Sequence, residues 1–492
     1  MLLTAAVILI VLIIVILVDI RRPHRFPPGP KWLPFVGNFP TFQIEKRKFG
    51  FCHLVLADFA KTYGEITGLR LGNMLLVSVS GSAAVKEVLT RDEFDGRPDG
   101  FLFRLRTFGE RLGIALSDGE FWKGQRKFCM QYLRKFGLGR KDMELIVFEE
   151  ARELVDCLRS KCAQPITINN TFDISVLNVL WALLAGERFS LDNPRLAGLL
   201  SIIHDAFRIV DFGGGIVNQL PFLRFVAPEY SGYKQSYAIL KRTWQFLEEV
   251  IDEQKKTFSV THSRGLIDAF LQQMTELQGQ SDTFTEKQLL SICLDLMMAG
   301  SETTSNTLSF AMLYMLKYPE IQKKVQDELD EVLGRNRSPT PQDRLKLPYT
   351  EAVIMEIQRI CSVAPLAVPH RTMRDTELRG YCIPKDTVVI INIYSVHMDP
   401  KFWKNPSQFH PERFLNDKGS LSIPDWYFIP FGQGKRRCLG ESLAKTSLFL
   451  FFTSILNNFH IKNESPDCTG HFEIHDGLTL SPKPFKVRLV PR

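Results

Sequence analysis

The chain has 492 residues, 45% hydrophobic and 23% charged, a globular balance that excludes disordered, collagen-like and coiled-coil chains. Lysine plus arginine is 61 against 54 aspartate plus glutamate, and a net charge of +7 suits an anionic lipid surface or an acidic protein partner and argues against a nucleic-acid binder. The 37 phenylalanines point to large apolar cavities or membrane-facing surface, and 9 irregularly spaced cysteines indicate reduced thiols in a cytosol-facing body.

Leu2 to Val18 is apolar except for Thr4. As a helix it spans roughly 26 Å, close to the hydrocarbon core of a bilayer. No basic segment precedes the run and no A-x-A-like cleavage site follows it, so residues 1–20 are expected to remain as a membrane anchor. Arg21, Arg22, Arg25 and Lys31 then keep the rest in the cytoplasm. Pro27-Pro28-Gly29-Pro30, Pro34 and Gly37-Asn38 make residues 21–38 a stiff extended strut. Residues 39–492 show no repeat or composition shift and are expected to form one catalytic body.

Helical patterns cover Ala83–Thr90, Phe121–Phe136, Met143–Lys161, Tyr233–Lys256, Glu286–Lys317 and Pro319–Val332. Strand-like pieces are short: Ile66–Leu71, Leu75–Ser80, Val388–Ile393 and Lys486–Val490. The expected class is mostly α with minor β sheets.

Trp122 and Arg126, four apart on a predicted helix, can aim an indole N–H and a guanidinium at one carboxylate, or be a core tryptophan beside an unrelated surface arginine. Gly213-Gly214-Gly215 lacks the spacing of a dinucleotide turn, so no flavin or nicotinamide fingerprint is present. Leu289–Tyr318 is apolar almost all round, as for a helix through the middle of a large body. Within it, Ala299-Gly300-Ser301-Glu302-Thr303-Thr304-Ser305 is poor helix sequence and is expected to be distorted or widened. Glu356 and Arg359 are neighbours at i and i+3, by themselves a common surface pair.

Cys438 lies among Gly432, Gly434 and Gly440 and beside Lys435, Arg436 and Arg437, and helix-forming sequence starts directly after it. Three cations, freed backbone N–H groups and a helix dipole are expected to stabilise a thiolate able to ligate a metal. A phosphate loop is excluded, because Ile429 and Arg436 stand where its pattern needs glycine and a hydroxyl residue.

Phe431, Gly434, Arg436, Cys438 and Gly440 match F-x-x-G-x-R-x-C-x-G, and the chain thereby resembles the cytochrome P450 haem-thiolate monooxygenases. The resemblance implies that fold, haem b bound through Cys438, and NADPH electrons delivered by a separate P450 reductase, with a small cytochrome as a further candidate donor. Lys123, Lys127, Arg134, Lys135, Lys435 and Arg437 would form the basic docking face. It also implies a network of Glu356 and Arg359 with Arg413 behind the haem, propionate donors at Arg97, Trp122, Arg126, His370 and Arg436, an acid relay at Glu302 and a dioxygen-stabilising hydroxyl at Thr303. His370 could equally be a satisfied core histidine.

The expected substrate is a lipophilic small molecule, in a pocket of Phe101, Phe103, Leu105, Phe108, Leu112, Ile114, Ala206, Phe207, Met297, Ala299, Leu366, Ala367, Val368, Leu478 and Leu480. These residues offer almost no hydrogen-bonding group. Pro221-Phe222-Leu223 with Phe225-Val226 could dip into the bilayer, which for this family is the endoplasmic reticulum membrane. The segment from Glu93 to Gly109 resembles insect members that epoxidise methyl farnesoate to juvenile hormone. A broad-specificity hydroxylase, a haem-thiolate isomerase or dehydratase, and a non-enzymatic haem protein are the competing readings.

Overall fold

A computed structural model describes residues 2–168, 170–209, 215–277, 282–335, 337–464 and 473–492; Gly213 and Gly214 of the glycine triplet lie outside them. Helices dominate and the sheets are small. The central helix Glu286–Lys317 starts where the Thr285 side chain accepts the Gln288 N–H and stops just before Pro319, which opens Pro319–Leu333. It packs against Asp173–Ala185, Tyr233–Lys256, Pro348–Cys361 and Glu441–Asn458, which accounts for its apolar surface all round. Gly300 permits the closest crossing: a Cβ there would stand 2.6 Å from Leu180 Cδ2.

The expected distortion of this helix is absent. It stays α-helical through residues 299–305, and the hydroxyls of Thr303, Ser305 and Thr307 donate to the carbonyls of Ala299, Ser301 and Thr303 at 2.9, 2.8 and 2.8 Å. Acceptors four residues back satisfy the hydroxyls without opening the ladder.

The largest sheet orders Ile66–Leu71, Met74–Val79, Val388–Ile391 and His370–Arg371. Its middle pair is parallel, with Leu76 opposite Val388 and Val79 opposite Ile391. The third strand ends earlier than its apolar run suggests, because the Asn392 side chain accepts the Ser395 N–H at 3.1 Å and starts the helix Ile393–His397. A second sheet joins Phe485–Pro491 to Ile166–Ile168 and Phe459–Asn463. The main apolar core surrounds the central helix, and a smaller cluster of Ala352, Met355, Trp403, Phe414 and Phe428 lies under the Cys438 loop.

Leu2–Asp19 is helical and its apolar side chains are exposed, Leu3 at 81% and Val18 at 68%. Its described side chains, residues 3–19, cover roughly 26 Å, short of a hydrocarbon core of about 30 Å. Among the described residues no helix is long and apolar enough to cross a membrane. The expected extended strut is interrupted by turns at residues 24–25 and 34–36, where Leu33 and Gly37 pair with each other, and its proline segment lies against the first strand: a Cβ on Gly29 would stand 2.0 Å from the Gly68 carbonyl oxygen. Arg70 anchors the junction, donating to both carboxylate oxygens of Asp19, at 2.7 and 3.2 Å, while the Arg22 and Arg70 guanidiniums flank the Trp32 ring.

Replacing Arg70 by alanine removes charged hydrogen bonds worth about 1.5–3 kcal/mol, so limited proteolysis between residues 20 and 38 should accelerate about tenfold or more while the melting of the body barely moves.

Candidate active site

The Cys438 loop is held by its own backbone. Gly432 N–H donates to Ile429 at 3.0 Å, Arg437 N–H to Gly434 at 3.2 Å and Cys438 N–H to Phe431 at 2.9 Å. Gly434 has φ +75°, and a Cβ there would meet the Leu89 carbonyl oxygen at 2.0 Å, so this turn admits only glycine. The flanking cations do not converge on the sulfur as expected. Lys435 pairs with Asp92 at 2.6 Å, Arg437 with Glu441 at 2.7 Å, and Arg436 lies 3.6 Å over the Trp122 ring. Cys438 is exposed, and desolvation by the surrounding atoms raises its thiol pKa against the opposing pull of the Gly440 N–H and the charges of Arg126 and Arg437.

Beside the loop, the helix Gly119–Lys135, whose Arg126 donates to the Arg437 carbonyl at 2.6 Å, and the strand His370–Arg371 gather the expected carboxylate donors. The Trp122 indole N–H and Arg97 Nε are buried with no hydrogen-bond partner among the described residues. Arg97 Nη1 is spent on the Val368 and Pro369 carbonyls at 2.8 and 2.9 Å, and Arg436 donates to Asp95 and Ser117 carbonyls at 2.8 and 3.0 Å. Burial, then the neighbouring guanidiniums, hold Arg97 well below its usual pKa; burial lowers that of Arg126 and takes Arg436 to about 10. Cations packed until they repel one another, with two orphaned N–H groups, fit the two carboxylates of haem. His370 is buried, and burial with the charge of Arg97 keeps it neutral. Its Nδ1–H donates to the Phe94 carbonyl at 2.8 Å, so Nε2 offers a lone pair and would donate to a carboxylate only once protonated.

Glu356 and Arg359 are fully buried in a bidentate pair at 2.7 and 2.8 Å, and Arg413 Nε adds a bond to Glu356 at 3.0 Å. The surface-pair reading of this motif is thereby removed.

On the other side, the buried central helix presents Ala299 as exposed and Thr303 as half-buried. Glu302 does not stand free beside Thr303 as the relay reading expects. It is fully buried, with Oε1 2.8 Å from Arg208 Nη1, 3.2 Å from Asn306 Nδ2 and 3.5 Å from His204 Nδ1. His204 Nε2 meets Asp173 Oδ2 at 2.7 Å. Burial depresses His204, but hydrogen bonds and charge from Asp173 and Glu302 outweigh it and lift the imidazolium pKa to about 9. Neither His204 nor Arg208 carries a sequence motif; helical spacing of four residues was their only signal.

Of the expected pocket residues, Ile114, Phe207, Leu366 and Leu480 are buried, while Phe101, Phe103, Leu105, Phe108, Leu112, Ala206, Ala367 and Leu478 are half-buried. Met297 has no exposed surface and packs in the main core. Asp295 Oδ2 accepts the Ile114 and Ala115 N–H groups at 2.6 and 2.8 Å, fixing the capping loop to the central helix.

Two tests follow from this geometry. Glu356→Ala leaves two guanidiniums uncompensated, so stability should fall by about 3–5 kcal/mol in thermal unfolding, with haem content lost in parallel. His204 is protonated more tightly folded than unfolded, so its contribution of about 3 kcal/mol is complete below pH 6.5 and is lost as the pH rises through about 9. Unfolding titrations of His204→Gln should show that loss abolished.

The profile described as Cytochrome P450 matches residues 27–489. The chain is 40% identical over 476 residues to "Farnesoate epoxidase" of Bombyx mori, covering 96% of each protein. It is 38% identical to "Probable cytochrome P450 305a1" of Drosophila melanogaster, covering 96% of this chain and 95% of the relative. Identity to "Cytochrome P450 2J1" of Oryctolagus cuniculus is 37%, covering 96% and 92% respectively.

Proposed function

This chain belongs to the cytochrome P450 family, and on that premise we propose that it epoxidises methyl farnesoate, a linear sesquiterpenoid ester, at the double bond farthest from the ester. The family assignment makes it an NADPH- and O2-dependent monooxygenase with haem b, fed through a reductase. The 40% identity to a protein named farnesoate epoxidase carries the substrate reading, and the largely apolar lining supports it.

Haem, when bound, supplies oxygen activation and transfer of one oxygen atom, with the other leaving as water. The chain supplies the rest. Cys438 Sγ would ligate the iron, while Trp122, Arg97, Arg126 and Arg436 would hold the propionates. Thr303 Oγ1 donates its hydrogen to the Ala299 carbonyl, so its lone pairs remain to accept a proton-bearing group on the accessible face. Glu302, one residue before Thr303, would serve as proton source only after its carboxylate leaves Arg208 and His204. The surrounding phenylalanines exclude bulk water.

Exposed Lys127, Arg134 and Lys135 lie on the Gly119–Lys135 helix that carries Trp122 and Arg126. A cleft of about 260 Å³ between Gln433, Arg437 and Lys445 opens beside the cysteine loop. These features suit docking of an acidic reductase. The Leu2–Asp19 helix enters the endoplasmic reticulum membrane, its short span met by local thinning and by Arg21 and Arg22 reaching the headgroups, which leaves the body in the cytoplasm. Phe222, Phe225 and Val226, exposed at 56%, 76% and 72%, enter the same interface.

Thr303→Ala should leave NADPH oxidation running while peroxide release rises and epoxide yield falls; unchanged coupling removes Thr303 from proton delivery. Methyl farnesoate should shift the haem absorption band and yield the distal epoxide, and preference for a steroid or fatty acid over it would refute the substrate reading.

A further inference from the structure

One buried charge cluster holds a titratable donor that the chemistry above leaves idle. His204 and Arg208 stand one turn apart on the helix Pro194–Ile209 and close on Glu302 of the central helix. Arg208 Nη1 lies 2.8 Å and His204 Nδ1 3.5 Å from Glu302 Oε1, and Asn306 Nδ2 donates to the same oxygen at 3.2 Å. Glu302 Oε2 is enclosed and has no hydrogen-bond partner among the described residues. The clasp therefore acts on the charge at one oxygen, and no bond retains the other. Arg208 is fixed in turn by the Thr479 carbonyl at 3.2 Å and the Ser481 hydroxyl at 2.7 Å. His204 is fixed by Asp173, whose Oδ2 lies 2.7 Å from Nε2.

Access to water singles out one of these groups. The Glu302 side chain has no exposure and that of Asp173 only 3%, whereas 13% of His204 and 23% of Arg208 remain open. Of the three side chains on Glu302 Oε1, Asn306 does not titrate and a guanidinium does not release its proton. An imidazolium can give up a proton and take another. Its two nitrogens are unequal here: the shorter contact keeps the Nε2 proton on Asp173, and the longer one leaves the Nδ1 proton to Glu302. Two carboxylates and two cations make the cluster neutral, so moving that proton exchanges an ion pair for a neutral pair and adds no charge to the interior. Arg208 then faces an acid without charge.

We propose that His204 is the proton donor that loads Glu302 and, by neutralising it, releases it from Arg208. One proton passes from Nδ1 to a Glu302 carboxylate oxygen. The ring keeps its Nε2 proton on Asp173 and takes the next one from water at its open edge. The freed carboxyl lies one residue before Thr303, whose Oγ1 has lone pairs to accept from it because its hydrogen goes to the Ala299 carbonyl at 2.9 Å. His204 acts on the reaction through Glu302, as a positioning residue; this rests on the reading of Glu302 as the proton source and adds how that acid is loaded and let go. The charged groups around the ring are Asp173 from the helix Asp173–Ala185, Glu302 from the central helix and Arg208 from its own, where the neighbouring Asp205 is exposed. Against desolvation, the two carboxylates hold the ring protonated up to about pH 9, so the donor is present below that pH and lost above it.

The test is peroxide released per NADPH oxidised by the holoenzyme with reductase and a ligand that shifts the haem band, whether or not that ligand is a terpenoid. His204→Gln should raise this ratio about tenfold, as should Glu302→Gln. If Glu302→Gln leaves it unchanged, the proton-source reading itself falls; if Glu302→Gln raises it and His204→Gln does not, only the role of His204 falls. His204→Arg keeps a cation on Glu302 but cannot release a proton, so it should be as uncoupled as His204→Gln. Restored coupling in His204→Arg would show a clasp alone and overturn the proposal. In the wild type the ratio should stay low up to about pH 9 and rise above it. Asp173→Asn, which removes one of the charges holding the proton, should bring that rise down by about one pH unit or more. Infrared difference spectra of isotope-labelled histidine, wild type against His204→Gln, should show an imidazolium titrating at the same pH as the ratio. If His204→Arg does not load haem, Asp173→Asn decides: a rise that stays at the wild-type pH, or that parts from the infrared titration, overturns the proposal.

Discussion

The site is built on a carboxylate with no access to water. Glu356 carries bonds from Arg359, Arg413 and the His410 N–H, and the same Arg359 donates to the His397 carbonyl at 2.7 Å and the Pro406 carbonyl at 2.8 Å. His397 continues the chain of bonds. Its Nε2 accepts the Ile429 N–H at 3.0 Å, so its Nδ1–H faces the Ser362 hydroxyl at 2.8 Å, and burial pushes its pKa to about 3. One tautomer is therefore locked. Ile429 is two residues before Phe431, so the ion network reaches the cysteine loop through hydrogen bonds that each have a single possible direction.

Such a network gives little net stability by itself, since desolvating its charges offsets their attraction. Its effect is geometric. Removing any member strands the others, which makes the position of the cysteine loop all-or-none. The loop can then spend its own residues on other tasks: Arg436 turns away to Trp122, and Gly434 lets the backbone pass beside Leu89.

The two sides of the site have opposite electrostatics. On the cysteine side, cations outnumber their partners and are driven toward their neutral forms, so an anionic group is needed to complete them. On the oxygen side the charges are already paired, Glu302 with Arg208 and His204, and Asp295 with Arg106. A cofactor with carboxylates would complete the first arrangement, whereas the charges of the second are already balanced within the fold.

Composition and local pattern were enough to show a mostly helical body, the strut, the long apolar helix and the loop around Cys438, because each depends on residues close in sequence. Trp122 with Arg126 and Glu356 with Arg359 were legible for the same reason, as neighbours on one helical face. The tertiary structure alone decided which charges meet. His204 and Arg208 reach Glu302 from about a hundred residues away, and Arg106 reaches Asp295 across 189. It also decided that the hydroxyl-rich turn stays helical, its hydroxyls of Thr303, Ser305 and Thr307 bonding carbonyls four residues back without breaking the ladder. Periodicity reports which face of an element is buried, but the partner of a buried charge is set by packing between elements, and that partner determines whether the group acts as relay, clasp or ligand anchor.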